Sequence, residues 1–245
     1  MAEQYPVFII VRDRIEPLRQ LLNWLEHANQ HEVWLVDSDS TYPPVVEFLA
    51  TTELRVVRSE RNWGNRAPWL TGTIQRHARD RYFVVSDPDI LPDEACPLNA
   101  LDHFRSILNR HPDLHKVGFG LRIEDLPESY ALASDVVAWE QRFWEQQIEP
   151  DLYAAPIDTT FALYRPMHRH SDGAAARTGP PYVARHLPWY VDSSRLSTED
   201  RYYREHADPL VTNWDNDKLP HWKQRWLDRN RASLATLTSP ERDAE

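Results

Sequence analysis

The sequence is poor in cysteine and contains no long apolar stretch. Cys96 is the only cysteine among 245 residues, which excludes an intrachain disulfide and is typical of a protein from a reducing compartment. No window approaches the roughly 18 apolar residues of a transmembrane helix. The N-terminus also lacks the basic and apolar regions of a signal peptide. We therefore expect a cytoplasmic protein without a transmembrane segment, in which Cys96 is a buried or incidental thiol.

Lysine is also scarce, and acidic residues outnumber basic ones by 38 to 28. The chain carries a formal net charge of -10, so it lacks the basic footprint that general binding of nucleic acid requires. Only three of its 28 basic residues are Lys. The others are Arg, whose planar guanidinium grips phosphate groups through paired hydrogen bonds. A local basic pocket for a phosphate ligand is therefore compatible with this acidic chain.

Strand-length apolar runs alternate with helical spacing in the first 90 residues. Hydrophobic residues make up 41% of the chain and aromatic residues 11%, which is typical of a globular protein. The predicted strands are 7–11, 33–36, 54–57 and 82–86, and the predicted helices are 16–29, 42–50 and 67–81. Continuous apolar runs joined by helices indicate parallel strands buried on both faces. We predict a single α/β domain with a mostly parallel, Rossmann-like sheet flanked by helices.

The remainder of the chain has a less regular pattern. The predicted elements are helices at 99–110 and 133–147, strands at 116–121 and 159–164, a helix that begins near Ser197, and a polar end that frays after about residue 230. Segment 166–180 is predicted to be a mobile loop that closes over a ligand, as lids do. The domain then divides into a first half, 1–95, a second half, 96–195, and a helical C-terminal extension, 196–245.

Asp87-Pro88-Asp89 follows the predicted strand 82–86 directly. Two carboxylates at the end of a strand form an oxygen-rich site, and Mg²⁺ and Mn²⁺ prefer oxygen ligands and often bind together with substrate phosphates. In an open α/β sheet, ligands bind outside the carboxyl ends of the strands. The motif therefore suggests a diphosphate bound through a divalent metal. The alternative is a solvated Asp-Pro turn, since both residues favour turns.

Four motifs in order make the first 95 residues resemble the glycosyltransferases of the GT-A fold, particularly family 2. A first strand leads into a helix, and a second strand ends in an acidic residue before a Ser-Thr pair, here within Asp37–Thr41. An Asn-x-Gly-x loop follows at Asn62–Asn65, and a later strand ends in Asp87-Pro88-Asp89. The resemblance implies a metal-dependent enzyme that transfers a sugar from a nucleoside diphosphate sugar of the UDP or GDP type. The implied acceptor is a hydroxyl group of a glycan, a lipid-linked glycan or a metabolite.

The same resemblance implies roles for particular residues. The residues expected to bind the nucleotide are Arg12, Asp13, Asp37, Asn62, Arg66 and Asp87. Asp87 and Asp89 are expected to hold Mn²⁺ or Mg²⁺, with His186 completing the metal shell as the late His of many GT-A enzymes does. The alternative is that His186, as a lone histidine, does not bind a metal. A divalent ion in such a site neutralises the charge that develops on the leaving diphosphate.

Asp158 is the expected catalytic residue. Segment 155–165 resembles the GT-A strand beneath the sugar pocket, and Asp158 lies at its mouth. Its carboxylate is expected either to bind sugar hydroxyls or to act as the general base toward the acceptor hydroxyl; the alternative is a residue that caps a turn. The Glu-Asp motif that supplies the base in much of family 2 is not found, and the motifs leave inversion and retention of stereochemistry both open.

The predicted helix 133–147 is rich in aromatic residues. Trp139 and Phe143 have the four-residue spacing of core positions. Other aromatic residues either belong to the core or stack on an acceptor sugar, namely Trp144, Trp189 and Tyr190. Glu140 and Glu145 are expected on the solvated face of the helix.

Three other classes of protein share parts of this pattern. Asp37 and Asp39 fit the Asp-x-Asp-x-Thr start of haloacid-dehalogenase-type phosphatases, as nucleophile and acid, but the Lys that those enzymes need between their acidic motifs is missing before Lys116. Sugar-phosphate nucleotidyltransferases need a Gly-rich loop near the first strand, and no Gly precedes Gly64. A non-catalytic protein that binds nucleotide sugars is the third alternative. The sequence does not define the oligomeric state.

Overall fold

A computed structural model describes residues 4–167, 173–207 and 223–229 of the protein. Ten strands form one sheet: β1 (Val7–Val11), β2 (Val33–Ser38), β3 (Arg55–Ser59), β4 (Phe83–Ser86), β5 (Ile90–Pro92), β6 (Leu114–Leu121), β7 (Gln147–Glu149), β8 (Leu152–Ala154), β9 (Ala162–Tyr164) and β10 (Ala174–His186). The helices are α1 (Glu16–His27), α2 (Pro43–Thr51), α3 (Ala67–Leu70), α4 (Thr73–His77), α5 (Ala100–Arg110), α6 (Ala133–Glu140), α7 (Thr198–His206) and α8 (223–229). None of the described helices is long and apolar enough to cross a membrane.

The first half of the sheet is parallel, as predicted. Strands β3, β2, β1 and β4 lie side by side, with Val11 opposite Asp37 and Ile9 opposite Ser86. All five residues of β1 are buried, as expected for a central strand covered on both faces. This register places the carboxyl ends of β1, β2 and β4 at one edge of the sheet.

The second half of the sheet is mixed rather than parallel. Strand β9 runs antiparallel to both β4 and β6, and β10 runs parallel to β6 but antiparallel to β8 and β5. The sheet is therefore entirely parallel from β3 to β4 and mixed beyond β4. One continuous sheet passes through both predicted halves of the domain, 1–95 and 96–195.

Strand β10 replaces residues 174–180 of the predicted loop 166–180. Residues from Ala174 onward pair with β6, and a register shift between Thr178 and Val183 accommodates Gly179-Pro180-Pro181. The loop prediction was wrong for 174–180 because Gly and Pro are poor strand formers, while tertiary pairing overrides local propensity. Residues 168–172 of that prediction lie outside the described part of the chain, and so does the predicted fraying after 230.

Two predicted helices are shorter than their periodicity suggested. The helix predicted at 67–81 is divided into α3 and α4 by Gly72, which adopts a left-handed conformation with φ of 70°. Glycine takes this conformation without the steric cost that other residues have. The helix predicted at 133–147 ends at Glu140 and continues as a 3-10 turn over Gln141–Trp144.

The two faces of the sheet bury separate hydrophobic clusters. Because strand residues alternate between faces, Val7, Ile9 and Val11 pack with apolar residues of α1, α2 and α5. Phe8 and Ile10 lie on the other face, with Ala67 and Ile74 from α3 and α4. The sheet is thus covered on both faces. The side at which β1, β2 and β4 have their C-terminal ends stays accessible.

The Cys96 thiol should be inert in the folded protein. Its side chain is buried, and burial raises the pKa of the thiol to about 12. Since the thiolate is the reactive form, we expect no reaction with Ellman's reagent at pH 8 and one equivalent in denaturant. Stoichiometric labelling of the native protein within minutes would contradict this burial.

Candidate active site

The candidate site lies where β1, β2 and β4 end. The ends of these strands and the segments that follow them carry Arg12-Asp13-Arg14, Asp37-Ser38-Asp39 and Asp87-Pro88-Asp89. The parallel register brings the three segments to one edge. This is the position at which open α/β sheets bind ligands.

Asp87 is fixed by the segment that precedes β9. Its backbone N–H donates to the Thr159 carbonyl at 2.8 Å, and its Oδ2 accepts from the Thr159 hydroxyl. Burial raises the pKa of the Asp87 carboxyl well above its usual range, and the neighbouring carboxylates of Asp89 and Asp158 raise it further. A cation placed here would relieve this accumulation of negative charge.

Antiparallel pairing of β5 with β10 brings Asp89 and His186 together. His186 is opposite Ile90, and the Leu187 N–H donates to the Asp89 carbonyl at 2.9 Å. The His186 Nε2 lies 3.7 Å from the Asp89 Oδ1. Asp89 Oδ1 and His186 Nδ1 are buried and have no hydrogen-bond partner among the described residues. Buried polar atoms without partners are rare in native proteins and point to a missing ligand.

The donor atoms at this pair suit a divalent metal only in part. Among the described residues, no three His, Cys, Asp or Glu side chains are grouped as a complete metal site. Asp89 and His186 offer two ligands of the kinds that Mn²⁺ accepts, and Mg²⁺ and Mn²⁺ can complete their shells with water and substrate phosphates. The residues therefore fit a metal that binds together with a diphosphate, rather than a permanent structural metal.

Arg14 is a residue of this site that the sequence analysis missed. Its side chain is buried, with Nε 3.7 Å from Asp89 Oδ2 and Nη1 3.0 Å from Asp200 Oδ1. Asp200 lies in the first turn of α7, where the predicted helix start is confirmed by a capping box with Ser197. The only sequence signal was an Arg after the first strand, and nothing in the sequence linked it to residue 200.

Arg12 and Asp13 hold the loops of the site in place. Arg12 Nη1 donates to the carbonyls of Ser38 and Asp39 at 2.7 and 2.6 Å. Asp13, which has a φ of 51°, accepts from the backbone N–H groups of Thr41 and Tyr42 through Oδ1. Both side chains therefore tie the loop after β1 to the loop after β2, next to the expected nucleotide position.

Asp37 and Asn62 are also oriented by neighbouring groups. Asp37 Oδ1 accepts from the Ser40 N–H at 3.0 Å, and burial raises the pKa of its carboxyl. Asn62 Oδ1 accepts from the Ser38 hydroxyl at 3.1 Å and from the Gly64 N–H at 2.9 Å. These bonds connect β2 to the Asn-x-Gly-x loop, so the two motifs lie side by side.

Asp158 and Arg66 are the accessible members of the predicted set. Asp158 is exposed, and its Oδ1 accepts from Asn65 Nδ2 at 2.7 Å. Arg66, one residue further along, is exposed and makes no side-chain hydrogen bond with the described residues. The structure thus places Asp158 beside the Asn-x-Gly-x loop and within electrostatic range of Asp87.

Two lysines that the sequence analysis passed over lie behind Asp158. Lys116 is buried on β6, and its Nζ donates to the Ile157 carbonyl at 2.7 Å. Lys223 of α8 is also buried, which lowers its pKa to about 7 despite the opposing effect of Glu140. The Asp158 carboxylate interacts electrostatically with the Lys223 amine. The C-terminal segment therefore reaches the back of the site.

The aromatic residues serve mainly in packing. Trp189 is only 1% exposed. Trp144 lies against Gly120, where an added Cβ would be 2.5 Å from the indole. Tyr190 donates its hydroxyl to Asp125 at 2.6 Å. Trp139 packs edge-on against Trp226 of α8. Packing within the protein, rather than stacking on an acceptor sugar, thus accounts for the contacts of these aromatic residues.

Glu140 is buried, which corrects the expectation of a solvated side chain. Its Oε2 forms an ion pair with Arg177 Nη1 at 2.8 Å, while Glu145 is exposed as expected. The Arg177 Nε also donates to the Pro156 carbonyl at 3.0 Å. Since Pro156 is two residues before Asp158, this buried ion pair supports the segment that presents the candidate catalytic carboxylate. Helical periodicity placed Glu140 outside because it could not show the strand β10 that covers it.

No protein-family model matches the sequence, and no curated protein matches it. Several solved structures do match this chain. A mannosyltransferase from Pyrobaculum calidifontis, in complex with GDP-Man and Mn²⁺, is 17% identical; the match covers 96% of this chain and 75% of that one, with a TM-score of 0.45. Glucosyl-3-phosphoglycerate synthase from Mycobacterium tuberculosis is 15% identical, with coverages of 65% and 56% and a TM-score of 0.40. UTP-bound UGPase from Acinetobacter baumannii is 10% identical, with coverages of 75% and 88% and a TM-score of 0.43.

The architecture of the sheet, with its parallel half followed by a mixed half and its hydrophobic clusters on both faces, confirms the predicted α/β class. Both the glycosyltransferases and the UGPase are similar to it. This chain spans only 56% of the synthase it matches. One fold carries many reactions, so the likeness leaves the reaction to be argued from the site.

Removing Glu140 should destabilise the protein strongly. Glu140→Ala leaves the Arg177 guanidinium buried without its partner carboxylate, a change that costs about 3–5 kcal/mol in buried ion pairs. We expect a loss of this order in the free energy of unfolding, measured by urea denaturation. Glu145→Ala, which removes an exposed charge five residues away, is the matched control and should be nearly neutral. Equal stability of the two variants would refute the buried pair.

Proposed function

We propose that the protein is a metal-dependent glycosyltransferase that moves a hexose from a nucleoside diphosphate sugar to a hydroxyl acceptor. The observation that carries the proposal is the pair of Asp89 Oδ1 and His186 Nε2, 3.7 Å apart at the carboxyl edge of the sheet. The Asp89 oxygen has no hydrogen-bond partner among the described residues. A metal-bound diphosphate would satisfy it.

The nucleotide would bind along the ends of β1 and β2. Asp37 is the proposed partner of the nucleoside, and the loops held by Arg12 and Asp13 shape the pocket for its base. Asn62 holds the Asn-x-Gly-x loop against β2 and lies next to the nucleoside. Arg66, exposed in the turn that follows this loop, is placed to grip the diphosphate through its guanidinium.

The leaving group carries the main chemical difficulty. Breaking the bond between sugar and diphosphate places negative charge on the nucleoside diphosphate, and Mn²⁺ or Mg²⁺ held by Asp87, Asp89 and His186 would stabilise that charge when bound. Arg66 would add a second positive charge from the protein itself. The Thr159 hydroxyl orients Asp87 for this role.

Asp158 is the proposed catalytic residue. Its carboxylate is exposed and is oriented by the Asn65 amide at 2.7 Å. It is therefore accessible to the acceptor or to the sugar hydroxyls, and a carboxylate in this position can accept the proton of the acceptor hydroxyl. The acceptor class remains a hydroxyl of a glycan, a lipid-linked glycan or a metabolite.

The phosphatase alternative is less consistent with the geometry around Asp37. A nucleophilic aspartate must present its carboxylate to substrate. Asp37 accepts from the Ser40 backbone N–H, and Asp39 adopts a left-handed conformation with a φ of 64°. The other alternative, a non-catalytic binder of nucleotide sugars, has the same site and differs only in turnover.

A nucleotide panel tests the donor class. We expect one of UDP, GDP, CDP and dTDP to raise the melting temperature in the presence of Mn²⁺ and to lose this effect in EDTA, since a ligand that binds only the native state stabilises it. UDP and GDP are the favoured candidates. If none of the four nucleotides raises the melting temperature, the proposal is contradicted, and phosphatase substrates should be tested next.

The second prediction concerns Asp89 and turnover. Asp89→Ala should lower the release of nucleoside diphosphate from the donor by about 100- to 1,000-fold, the scale for loss of one preorganised group that stabilises developing charge. The release assay needs no known acceptor. The fold should be retained, which circular dichroism and the melting temperature will check.

Asp102→Ala is the control for this prediction, because Asp102 is an exposed aspartate on α5. It should release nucleoside diphosphate at the wild-type rate. Full activity of a folded Asp89→Ala variant would exclude Asp89 as a metal ligand. If the wild type binds a nucleotide but releases no nucleoside diphosphate from the donor, the non-catalytic alternative is favoured.

A further inference from the structure

Arg142 is a half-buried cation that lies against three aromatic rings. Its guanidinium carbon is 3.5 Å from the centre of the Trp139 ring, 4.5 Å from that of Phe143 and 4.9 Å from that of Trp226. These three residues, the aromatic platform, belong to α6, to the turn that follows it and to α8. Stacking uses the flat face of a guanidinium and leaves its N–H groups, which point outward in its plane, for hydrogen bonds.

These N–H groups have no partner among the described residues. Arg142 forms no hydrogen bond or ion pair with them, and its Nε atom is also shielded from solvent. Buried polar atoms without partners are rare in native proteins, and arginine is seldom buried without an anion beside it. Both facts indicate that an anionic ligand is the missing partner of Arg142.

The stacking itself does not explain the missing partner. Arg105 is also half-buried, and its guanidinium carbon lies 3.7 Å from the centre of the Tyr82 ring. Unlike Arg142, it donates through Nη1 to Asn109 Oδ1 at 2.6 Å. A stacked guanidinium in this protein therefore can hold a hydrogen-bond partner at the same time.

The charged groups near Arg142 leave room for an anion. Arg177 of β10 and Lys223 of α8 act on it as cations, and Glu140 and Glu145 act as acids. Glu140 is paired with Arg177 at 2.8 Å, and Glu145 is exposed. Burial lowers the pKa of the Arg142 guanidinium; Glu140 opposes this effect, Arg177 adds to it and Glu145 opposes it. An arginine nevertheless stays charged in proteins, so an anion would be stabilised here.

Arg142 is connected to the segment that presents Asp158. Arg177, whose charge acts on Arg142, donates through Nε to the Pro156 carbonyl at 3.0 Å, two residues before Asp158. Lys223 interacts electrostatically with both Arg142 and Asp158. These interactions place the unsatisfied guanidinium behind the proposed catalytic carboxylate, where a part of the acceptor would bind.

We propose that Arg142 and the aromatic platform bind an oxoanion, namely a phosphate or carboxylate group of the acceptor. Two oxygens of such a group can accept from two N–H groups of one guanidinium, in the paired geometry that phosphates and carboxylates share. The assignment to the acceptor rests on the proposed function, whereas the oxoanion site itself does not. It narrows the acceptor from any compound with a hydroxyl group to one that is also anionic.

The first test uses inorganic phosphate and acetate as probes in metal-free buffer, each compared with chloride at equal ionic strength. At ten times its dissociation constant, the bound anion should raise the melting temperature of the wild type by about 3–5 °C. Arg142→Met should lose this shift. A larger shift with phosphate supports a phosphorylated acceptor, and a larger shift with acetate supports a carboxylated one.

Arg105→Met is the matched control, because it removes a stacked guanidinium that already has a partner. It should keep the wild-type shift. Arg142→Lys retains the charge without the planar fork, so its shift should be smaller than that of the wild type, and it replaces Arg142→Met if that variant does not fold. The oxoanion site is overturned if neither anion shifts the wild type, or if the Arg142 variants respond as the wild type does.

The second test separates this site from the donor site. The anion shift should persist when Mg²⁺ and the nucleotide that the panel identifies are present at saturation, since ligands at independent sites have additive effects. Loss of the shift under these conditions would mean that Arg142 binds the donor diphosphate, and the acceptor assignment would be wrong. If no nucleotide binds but the Arg142-dependent shift remains, the proposed function and the acceptor assignment fail together, and the oxoanion site alone stands.

Discussion

The site depends on one antiparallel pairing, between the short strand β5 and the end of β10. Because β5 follows Asp89 directly and β10 ends at His186, the pairing of Ile90 with His186 sets the distance between the two candidate metal ligands. Strand β10 is in turn held by β6 and β8 along its length. A ligand on a paired strand, or directly next to one as Asp89 is, is held more rigidly than a ligand on a loop, and precise ligand geometry needs this rigidity.

The first half of the fold follows from the sequence because its signals are local. Continuous apolar runs define β1 and β4, and burial on both faces requires such runs. The second half does not, because β10 contains Gly179-Pro180-Pro181 and an Arg at 177, which individually argue against a strand. Long-range pairing and the Glu140–Arg177 ion pair stabilise that strand, and neither is visible in a local window.

The residues of the candidate site also separate into those that local sequence signals predict and those that depend on long-range contacts. Asp87, Asp89 and Asp37 are predictable because each lies at or within three residues of the carboxyl end of a strand. His186 could be proposed as a ligand, but its partner could not be derived, since their pairing joins residues almost 100 positions apart. Arg14 carried only the weak signal of an Arg after the first strand. Its importance arises from Asp200, 186 residues away, and from a helix whose start the capping pattern had located without indicating what it covers.

The cap that Glu199 provides for α1 affects the order in which the chain folds during synthesis. Glu199 Oε2 accepts from the backbone N–H of Ile15 at 2.8 Å. Glu199 and Ile15 are separated by 184 residues, so the first helix acquires this partner only after residue 199 has been synthesised. Domains assemble from the N-terminus during synthesis. Here the parallel strands can form early on the ribosome, while the loop after β1 stays incomplete until α7 emerges. A nascent chain that stopped before residue 197 would hold most of the core and an unfinished pocket.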